Sequence, residues 1–134
     1  MVESGKKGGE ESYRQFDDRT PEWAYGSGVK DKNGKRPQEQ GYDPTTLLIE
    51  AKELARMTPT MRQFWKIKST NFDKIILFKL GKFYEIFYED AVICNKYLDL
   101  NWMRNKMHVG FPEKALDKFA STLVHLGFKV AIVE

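Results

Sequence analysis

The stretch KIILFKLGKFYEIFYED, residues 74–90, decides the fold because a strand, a turn and the start of a helix follow one another within it. Its first part, KIILFKL, is a short apolar run with β-branched side chains at its start, and Gly81 ends the run. This pattern is typical of a buried strand. After the glycine the apolar period changes, and a helical period predicts an amphipathic helix over residues 87–98.

The segment that leads into this helix places an aromatic ring and a carboxylate two positions apart. If residues 82–86 are extended, Phe83 and Glu85 point to one side, and the two residues that alternate with them point to the other. Because Tyr84 and Ile86 are natural core partners, we expect Phe83 and Glu85 to project from the turn. The alternative is that Phe83 packs under a neighbouring loop and that Glu85 is favoured near a helix N-terminus by the macrodipole.

A further helix is predicted upstream of the first strand. Thr58 is a candidate N-cap and Pro59 occupies the first helical position, so this helix should cover Pro59–Ser69. Four residues at helical spacing are expected to form its buried stripe: Met61, Phe64, Trp65 and Lys68.

Downstream of residue 98, the sequence predicts a hairpin, a third helix and a final strand. The segments LDLNWMR and MHVGF flank Asn105 and Lys106, which would form the turn of the hairpin. Pro112 then opens a helix with Gly127 as its C′ residue, and FKVAIVE has the pattern of a strand. This order of elements predicts an α/β fold, a mixed β-sheet flanked by helices.

Residues 1–44 differ in composition from the rest of the chain. They are Gly-rich, charged and nearly free of Leu, Ile and Val, so they cannot bury enough apolar surface to offset chain ordering. We expect a disordered charged leader over residues 1–44 and one folded domain over residues 45–134. Because the chain ends on a strand without a following turn or cap, we also expect it to be a fragment of a larger protein.

The charge distribution permits binding to a polyanion. The chain has 22 Lys and Arg against 19 Asp and Glu, a net charge of +3. Residues 1–44 carry eight basic and nine acidic residues, which leaves a net charge of +4 on the remainder. The basic residues on segments that could surround the turn are Lys74, Lys79, Lys82, Arg104 and Lys106. Such a distribution suits phosphates that flank an apolar wedge, although many solvated surfaces are mildly basic.

Cysteine and histidine usage argues against a disulfide framework and against a metal site. The chain has one cysteine, Cys94, and two histidines, His108 and His125. A single cysteine cannot form an intrachain disulfide, and these residues offer no zinc-ligand spacing. We therefore expect no metal and no resident cofactor in this chain.

Two long segments resemble one protein family. MTPTMRQFWKIKSTNFDKIILFKLGKFYEIFYEDA is similar to the start of the N-terminal domain of the MutS mismatch-recognition family, which carries a G-x-F-Y-E-[LI]-[FY] motif. VGFPEKALDKFASTLVHLGFKVAIVE resembles the second half of that domain, with its G-[IF]-P turn and its closing V-A-[IV]-x-E strand. The resemblance covers residues 46–134. The charged leader followed by YDPTTLLI is more similar to the eukaryotic mispair-contacting subunit than to bacterial MutS.

The resemblance implies roles for individual residues. Phe83 would enter the minor groove and stack on the mispaired base, and Glu85 would hydrogen-bond the edge of that base. The domain would thus recognise how easily the duplex deforms rather than its sequence. The residues expected to contact the DNA backbone are Lys79, Lys82, Arg104 and Lys106. The weaker candidates for DNA contact are Tyr84, Met103, His108 and Val109.

The resemblance also implies a larger assembly. In the family, a C-terminal ATPase that uses ATP and magnesium accompanies this domain, as does a homologous partner subunit. The chain has no G-x-x-x-x-G-K-[ST] phosphate loop, so we expect no catalytic residues in it. The expected partners are double-stranded DNA with a mispair or a small insertion loop and, in the full-length protein, a second MutS-family subunit. The expected location is the nucleus, with no membrane contact.

Two other functions fit parts of the sequence. An exposed Phe83 could anchor a protein-interaction surface, because aromatic residues are enriched at interface hot spots. A metal-dependent nuclease would need several carboxylates at one site. The candidates for such a site are Asp73, Glu85, Asp90 and Asp99. These carboxylates are scattered over different predicted elements, so we rank the nuclease last.

Overall fold

The computed structural model of the chain describes residues 21–103 and 107–134. Its elements, in chain order, are α1 (Glu22–Tyr25), α2 (Ala51–Ala55), α3 (Pro59–Ser69), β1 (Ile75–Leu80), β2 (Phe83–Phe87), α4 (Tyr88–Leu98), β3 (His108–Pro112), a 3₁₀ turn (Glu113–Ala115), α5 (Leu116–His125) and β4 (Val130–Val133). Among the helices described, none is long and apolar enough to cross a membrane.

The strands form one mixed sheet. In the described part of the chain it has four strands in the order β3-β2-β1-β4. β2 is antiparallel to both of its neighbours, whereas β4 is parallel to β1. A parallel pair needs a long crossover connection, and here that connection includes α4 and α5. The predicted α/β fold, a mixed sheet flanked by helices, is confirmed.

A two-residue turn sets the register of the hairpin that β1 and β2 form. Gly81 has a φ of +66°, whereas Lys82 is not among the residues with positive φ. This is the φ pattern of a type II′ turn, which has glycine at its first central position. The turn pairs Phe78 with Glu85, and Phe83 lies two residues before Glu85 in β2. Phe83 and Glu85 therefore share one face of the sheet.

Helices cover both faces of the sheet. On the face of Phe78, α3 packs with the buried stripe that its sequence predicts. All four residues of that stripe are buried, namely Met61, Phe64, Trp65 and Lys68. Thr58 caps this helix, because its hydroxyl oxygen accepts the backbone N–H of Met61 at 3.3 Å. On the opposite face, α4 and α5 pack over Tyr84 and Ile86.

Part of the segment predicted to be disordered packs against the α3 side of the core. The ring of Trp23 lies edge-on to Trp65 with 4.8 Å between centroids, and Ala24 is 1% exposed. The buried Asp31 carboxylate accepts three backbone N–H groups from the loop that follows it. The structure thus differs from the prediction for residues 21–44, because aromatic rings supply the burial that aliphatic residues would otherwise provide. Residues 1–20 lie outside the described ranges.

We predict that Trp23→Ala lowers the unfolding free energy of the chain by about 2 kcal/mol, because it removes a partly buried ring that packs on Trp65. Urea denaturation measures the change. Trp102→Ala is the matched control, since Trp102 is 38% exposed and belongs to neither core. The control should differ from the wild type by less than about 0.5 kcal/mol. Equal unfolding free energies for the two variants would contradict the packing described for this segment.

The hairpin predicted around residues 105–106 takes a different form. β3 pairs along its whole length with β2, and residues 99–102 contain no strand. A backbone hydrogen bond of 2.8 Å from the N–H of Met103 to the carbonyl of His108 joins the two segments that the prediction paired. β3 pairs with β2 instead because that register buries alternate apolar residues of β3. Residues 104–106 lie outside the described ranges.

Candidate nucleic-acid interface

An exposed phenyl ring lies at the turn end of β2. Phe83 is 47% exposed, whereas Phe87, on the same face of the same strand, is 4% exposed. The difference arises because Phe64 of α3 packs on Phe87, with 5.1 Å between ring centroids, while Phe83 belongs to neither described core. The prediction that Phe83 lies outside the core is confirmed.

Glu85 lies beside Phe83 on this face and contacts His108. In the pairing of β2 with β3, Glu85 is opposite Gly110, and Phe87 is opposite His108. Nε2 of His108 lies 2.6 Å from Oε1 of Glu85. The two side chains are 12% and 22% exposed, respectively, so the pair lies at the boundary between core and solvent.

Neighbouring groups approach the backbone closely at Gly110, which lies opposite Glu85. A Cβ atom at this position would lie 3.0 Å from the carbonyl oxygen of Tyr84, 3.5 Å from Sδ of Met103 and 3.8 Å from Cγ of Glu85. Met103, which is 37% exposed, and Glu85 therefore both lie against Gly110, where there is little room for a side chain. The surface at this end of the sheet, called the hairpin face below, consists of Phe83, Glu85, Met103, His108 and Gly110.

Tyr84 and Val109, two of the weaker candidates for DNA contact, lie away from the hairpin face. They are 1% and 0% exposed, respectively, in the core on the opposite side of the sheet. The Tyr84 hydroxyl donates a hydrogen bond to the Glu134 carboxylate. This bond, together with burial, raises the pKa of Tyr84 to about 12. Strand alternation turns both side chains into the core, so neither lies on the hairpin face.

The basic candidates do not all surround the exposed ring. Lys79 lies on the opposite face of the sheet from Phe83, and its ammonium group forms an ion pair with Glu113 at 3.0 Å. Lys82 is exposed in the turn, one residue before Phe83. The remaining candidates, Arg104 and Lys106, lie outside the described residues. In the described ranges, Lys82 is therefore the predicted backbone contact that lies beside the ring.

The carboxylates considered for a nuclease do not converge. Asp73 forms ion pairs with Lys74 and Lys129, both at 3.1 Å. Asp90 is buried and forms an ion pair with Lys68 at 3.0 Å. As far as the chain is described, no group of three or more His, Cys, Asp or Glu side chains could hold a metal ion. Asp73 and Asp90 therefore serve as ion-pair partners in the fold.

Comparison with known protein families tests the resemblance that the motifs suggest. The family model described as MutS domain I matches residues 58–134, more than half of the chain. The chain belongs to the MutS family. The matched part of this MutS domain contains every described strand and the whole hairpin face. The resemblance inferred from the motifs is therefore confirmed.

Three relatives illustrate the match to MutS proteins. The chain is 45% identical over 107 residues to the probable DNA mismatch repair protein Msh6 of Drosophila melanogaster, which covers 79% of the chain and 9% of that protein. It is 41% identical over 130 residues to the DNA mismatch repair protein Msh6 of Homo sapiens, a match that covers 95% of the chain and 10% of that protein. It is 46% identical over 83 residues to the DNA mismatch repair protein MutS of Thermosipho melanesiensis, a match that covers 60% of the chain and 10% of that protein. The chain thus spans about 10% of the length of these relatives, and the two Msh6 matches extend over more of it than the bacterial match.

The sequence alone does not reveal the pairing of His108 with Glu85. Which residue lies opposite Glu85 depends on the register of β3 against β2, and no local signal sets that register. Gly110 carries a usable signal, because a glycine within a strand often marks the close approach of another group. The close approach at Gly110 could therefore have been inferred from the G-F-P segment once β3 was placed.

Proposed function

We propose that this MutS domain recognises mispaired DNA, with Phe83 entering the minor groove and stacking on the mispaired base while Glu85 hydrogen-bonds the edge of that base. The observation that carries the proposal is the Phe83 ring, 47% exposed beside the Glu85 carboxylate on one face of a hairpin. The family match and the names of the relatives, which are DNA mismatch repair proteins, support a role in mismatch repair.

The energetics of this contact favour a mispair over intact duplex. Inserting a side chain between base steps costs on the order of a few kcal/mol of unstacking, and the cost is smaller where pairing is already broken. Stacking of a base on an aromatic ring contributes about 1–3 kcal/mol, whatever the base. The stacking energy exceeds the cost of unstacking mainly where the duplex deforms easily. The domain would therefore recognise deformability rather than sequence.

Glu85 would add discrimination against intact duplex. A carboxylate near the phosphates opposes tight binding of a well-paired helix, to which it offers no compensating bond. An ionised carboxylate accepts a hydrogen bond from a base N–H group. A protonated carboxyl group can instead donate one to a base acceptor. Lys82, exposed in the turn, supplies a positive charge for a neighbouring phosphate.

The domain would act within a longer protein. The chain after residue 44 has a net charge of +4, so we expect the chain alone to bind DNA only in the nonspecific range of about 10⁻⁴ to 10⁻⁶ M. Tighter binding would come from a homologous MutS-family subunit and from an ATPase domain with ATP and magnesium, since the chain has no phosphate loop of its own. We place this assembly in the nucleus.

Titration of the ¹⁵N-labelled chain with DNA tests the proposal. One duplex carries a single G·T mispair and the other has the same sequence fully paired, and backbone amide shifts are recorded with both. We expect the shifts to centre on residues 81–86 and to be larger with the mispaired duplex. Shifts of equal size with the two duplexes, or shifts centred on α5, would contradict the proposal.

A further inference from the structure

We infer that His108 is a positioning residue for mispair recognition: it holds one oxygen of the Glu85 carboxylate and leaves the other oxygen for the base. The inference rests on the proposed function, because it assigns a partner to the residue that would hydrogen-bond the mispaired base. His108 acts through Glu85 in this role and needs no contact with DNA of its own.

The contact between the two side chains is short and directional. Nε2 of His108 lies 2.6 Å from Oε1 of Glu85, a distance as short as that of charge-assisted hydrogen bonds. Because an ionised carboxylate can only accept, Nε2 carries the proton and donates it. The bond restricts rotation about the terminal torsion of Glu85, which has a broad energy minimum in a free side chain.

The core in turn holds His108. Its ring stacks on that of Phe87, with 4.7 Å between centroids and 21° between planes. Phe87 is 4% exposed and packs on Phe64 at 5.1 Å. The imidazole is therefore fixed by a buried ring on one side and by Glu85 at its edge. Support of this kind, by residues locked in the core, is what keeps a binding residue in one geometry.

The second carboxylate oxygen of Glu85 remains available. Oε2 makes no hydrogen bond to any residue in the described ranges, and the side chain is 22% exposed. Gly110, which lies opposite Glu85 in β3, has no side chain that would cover this carboxylate. Glu85 thus presents one oriented acceptor near the Phe83 ring. Because its side chain is ordered before DNA arrives, the entropy cost of ordering it does not fall on binding.

The mispair selectivity of His108 variants tests the inference. Selectivity here is the affinity of the chain for a duplex with one G·T mispair divided by its affinity for the matched duplex. We expect His108→Ala to lower this ratio about fivefold, the effect of one lost hydrogen bond of ordinary strength. His108→Gln should restore most of the ratio, because its amide can still donate. His125→Ala is the matched control, since His125 is the other histidine in the chain and is exposed on α5.

A double-mutant cycle separates positioning from general structural support. In a Glu85→Ala background, His108→Ala should have no further effect on the selectivity ratio, because the side chain that it positions is gone. An equal loss in both backgrounds would overturn the inference. An unchanged ratio for His108→Ala in the otherwise wild-type chain would overturn it as well.

The contact can also be tested without DNA. The chain has two histidines, so long-range ¹⁵N–¹H spectra of the imidazole rings resolve each of them. We expect Glu85→Ala to shift the Nε2 signal of His108. The ring of His125, whose Nδ1 lies 2.9 Å from the carbonyl oxygen of Ser121, should stay unchanged. A His108 ring that does not respond to Glu85→Ala would overturn the inference.

Failure of the inference and failure of the proposed function give different results. If Phe83→Ala keeps the wild-type selectivity, the proposed function fails and the inference fails with it. If Phe83→Ala abolishes selectivity while His108→Ala retains it, the proposed function stands and the inference alone is overturned.

Discussion

Phe83→Ala is expected to abolish the preference of the chain for a mispaired duplex. Stacking contributes about 1–3 kcal/mol per base, so affinity for the mispaired duplex should fall by about 5-fold to 150-fold. Affinity for the matched duplex should change little, because that binding depends on phosphate contacts. The ring is 47% exposed and belongs to neither described core, so the variant should unfold at nearly the same urea concentration as the wild type. The loss would thus be one of recognition and not of folding.

Fluorescence anisotropy with labelled mispaired and matched duplexes measures both affinities. Tyr97→Ala is the matched control, because Tyr97 is 44% exposed and lies on α4, which packs on the other face of the sheet. Phe83→Leu keeps an apolar side chain without an aromatic face, so it separates stacking from simple filling of space. If Phe83→Ala left mispair selectivity intact and instead weakened a complex with another protein, the ring would be a protein-binding residue.

Asp90→Ala should lower the unfolding free energy of the chain by about 3–5 kcal/mol, out of a total that is about 5–15 kcal/mol for ordinary domains. The Asp90 carboxylate is buried, lies 3.0 Å from Nζ of Lys68 and accepts the backbone N–H of Ile76 at 3.0 Å. The substitution removes this partner from a buried ammonium group and from a buried N–H group. The same contacts join α3, β1 and α4, so their loss should also loosen the support of the hairpin face.

Urea denaturation combined with thiol labelling measures this effect. Cys94 is fully buried, and burial raises its pKa to about 12, so its thiol should react only in molecules that have opened. Asp117→Ala, at an exposed position of α5, is the control and should cost less than about 1 kcal/mol. Lys68→Met with Asp90→Asn removes both charges but keeps an acceptor for Ile76, and should recover part of the loss. If Asp90→Ala and Asp117→Ala had the same unfolding free energy, the stabilising role of the buried Asp90 contacts would be contradicted.

The elements around the hairpin are predictable from the sequence because their signals are local. A cap and a proline mark the start of α3, and its buried stripe repeats at helical spacing. The face on which Phe83 lies follows from strand alternation once Tyr84 and Ile86 are assigned to the core. The G-x-F-Y-E motif in the same hairpin, together with the segments on both sides of it, indicates the family.

The remaining features depend on contacts between distant parts of the chain. The packing of Trp23 on Trp65 cannot be predicted from composition. Composition measures the aliphatic content of a segment and does not show whether its few aromatic rings pack against the core. The face on which Lys79 lies depends on turn length, since a two-residue turn pairs Lys79 with Tyr84 and so directs it away from Phe83. The contact of Glu85 with His108 likewise depends on the register of β3 against β2, and β3 follows much later in the chain.

The central claim is that the Phe83 ring stacks on the mispaired base, and intermolecular nuclear Overhauser effects test it most directly. For this experiment the chain is labelled with ¹³C in its phenylalanine rings and is bound to a duplex with one G·T mispair. The chain has nine phenylalanines, and Phe83→Leu identifies the Phe83 signals by their disappearance. We predict contacts from the Phe83 ring protons to protons of the mispaired base, and no such contacts with the matched duplex. Binding of the mispair with base contacts from other rings and none from Phe83 would contradict the claim.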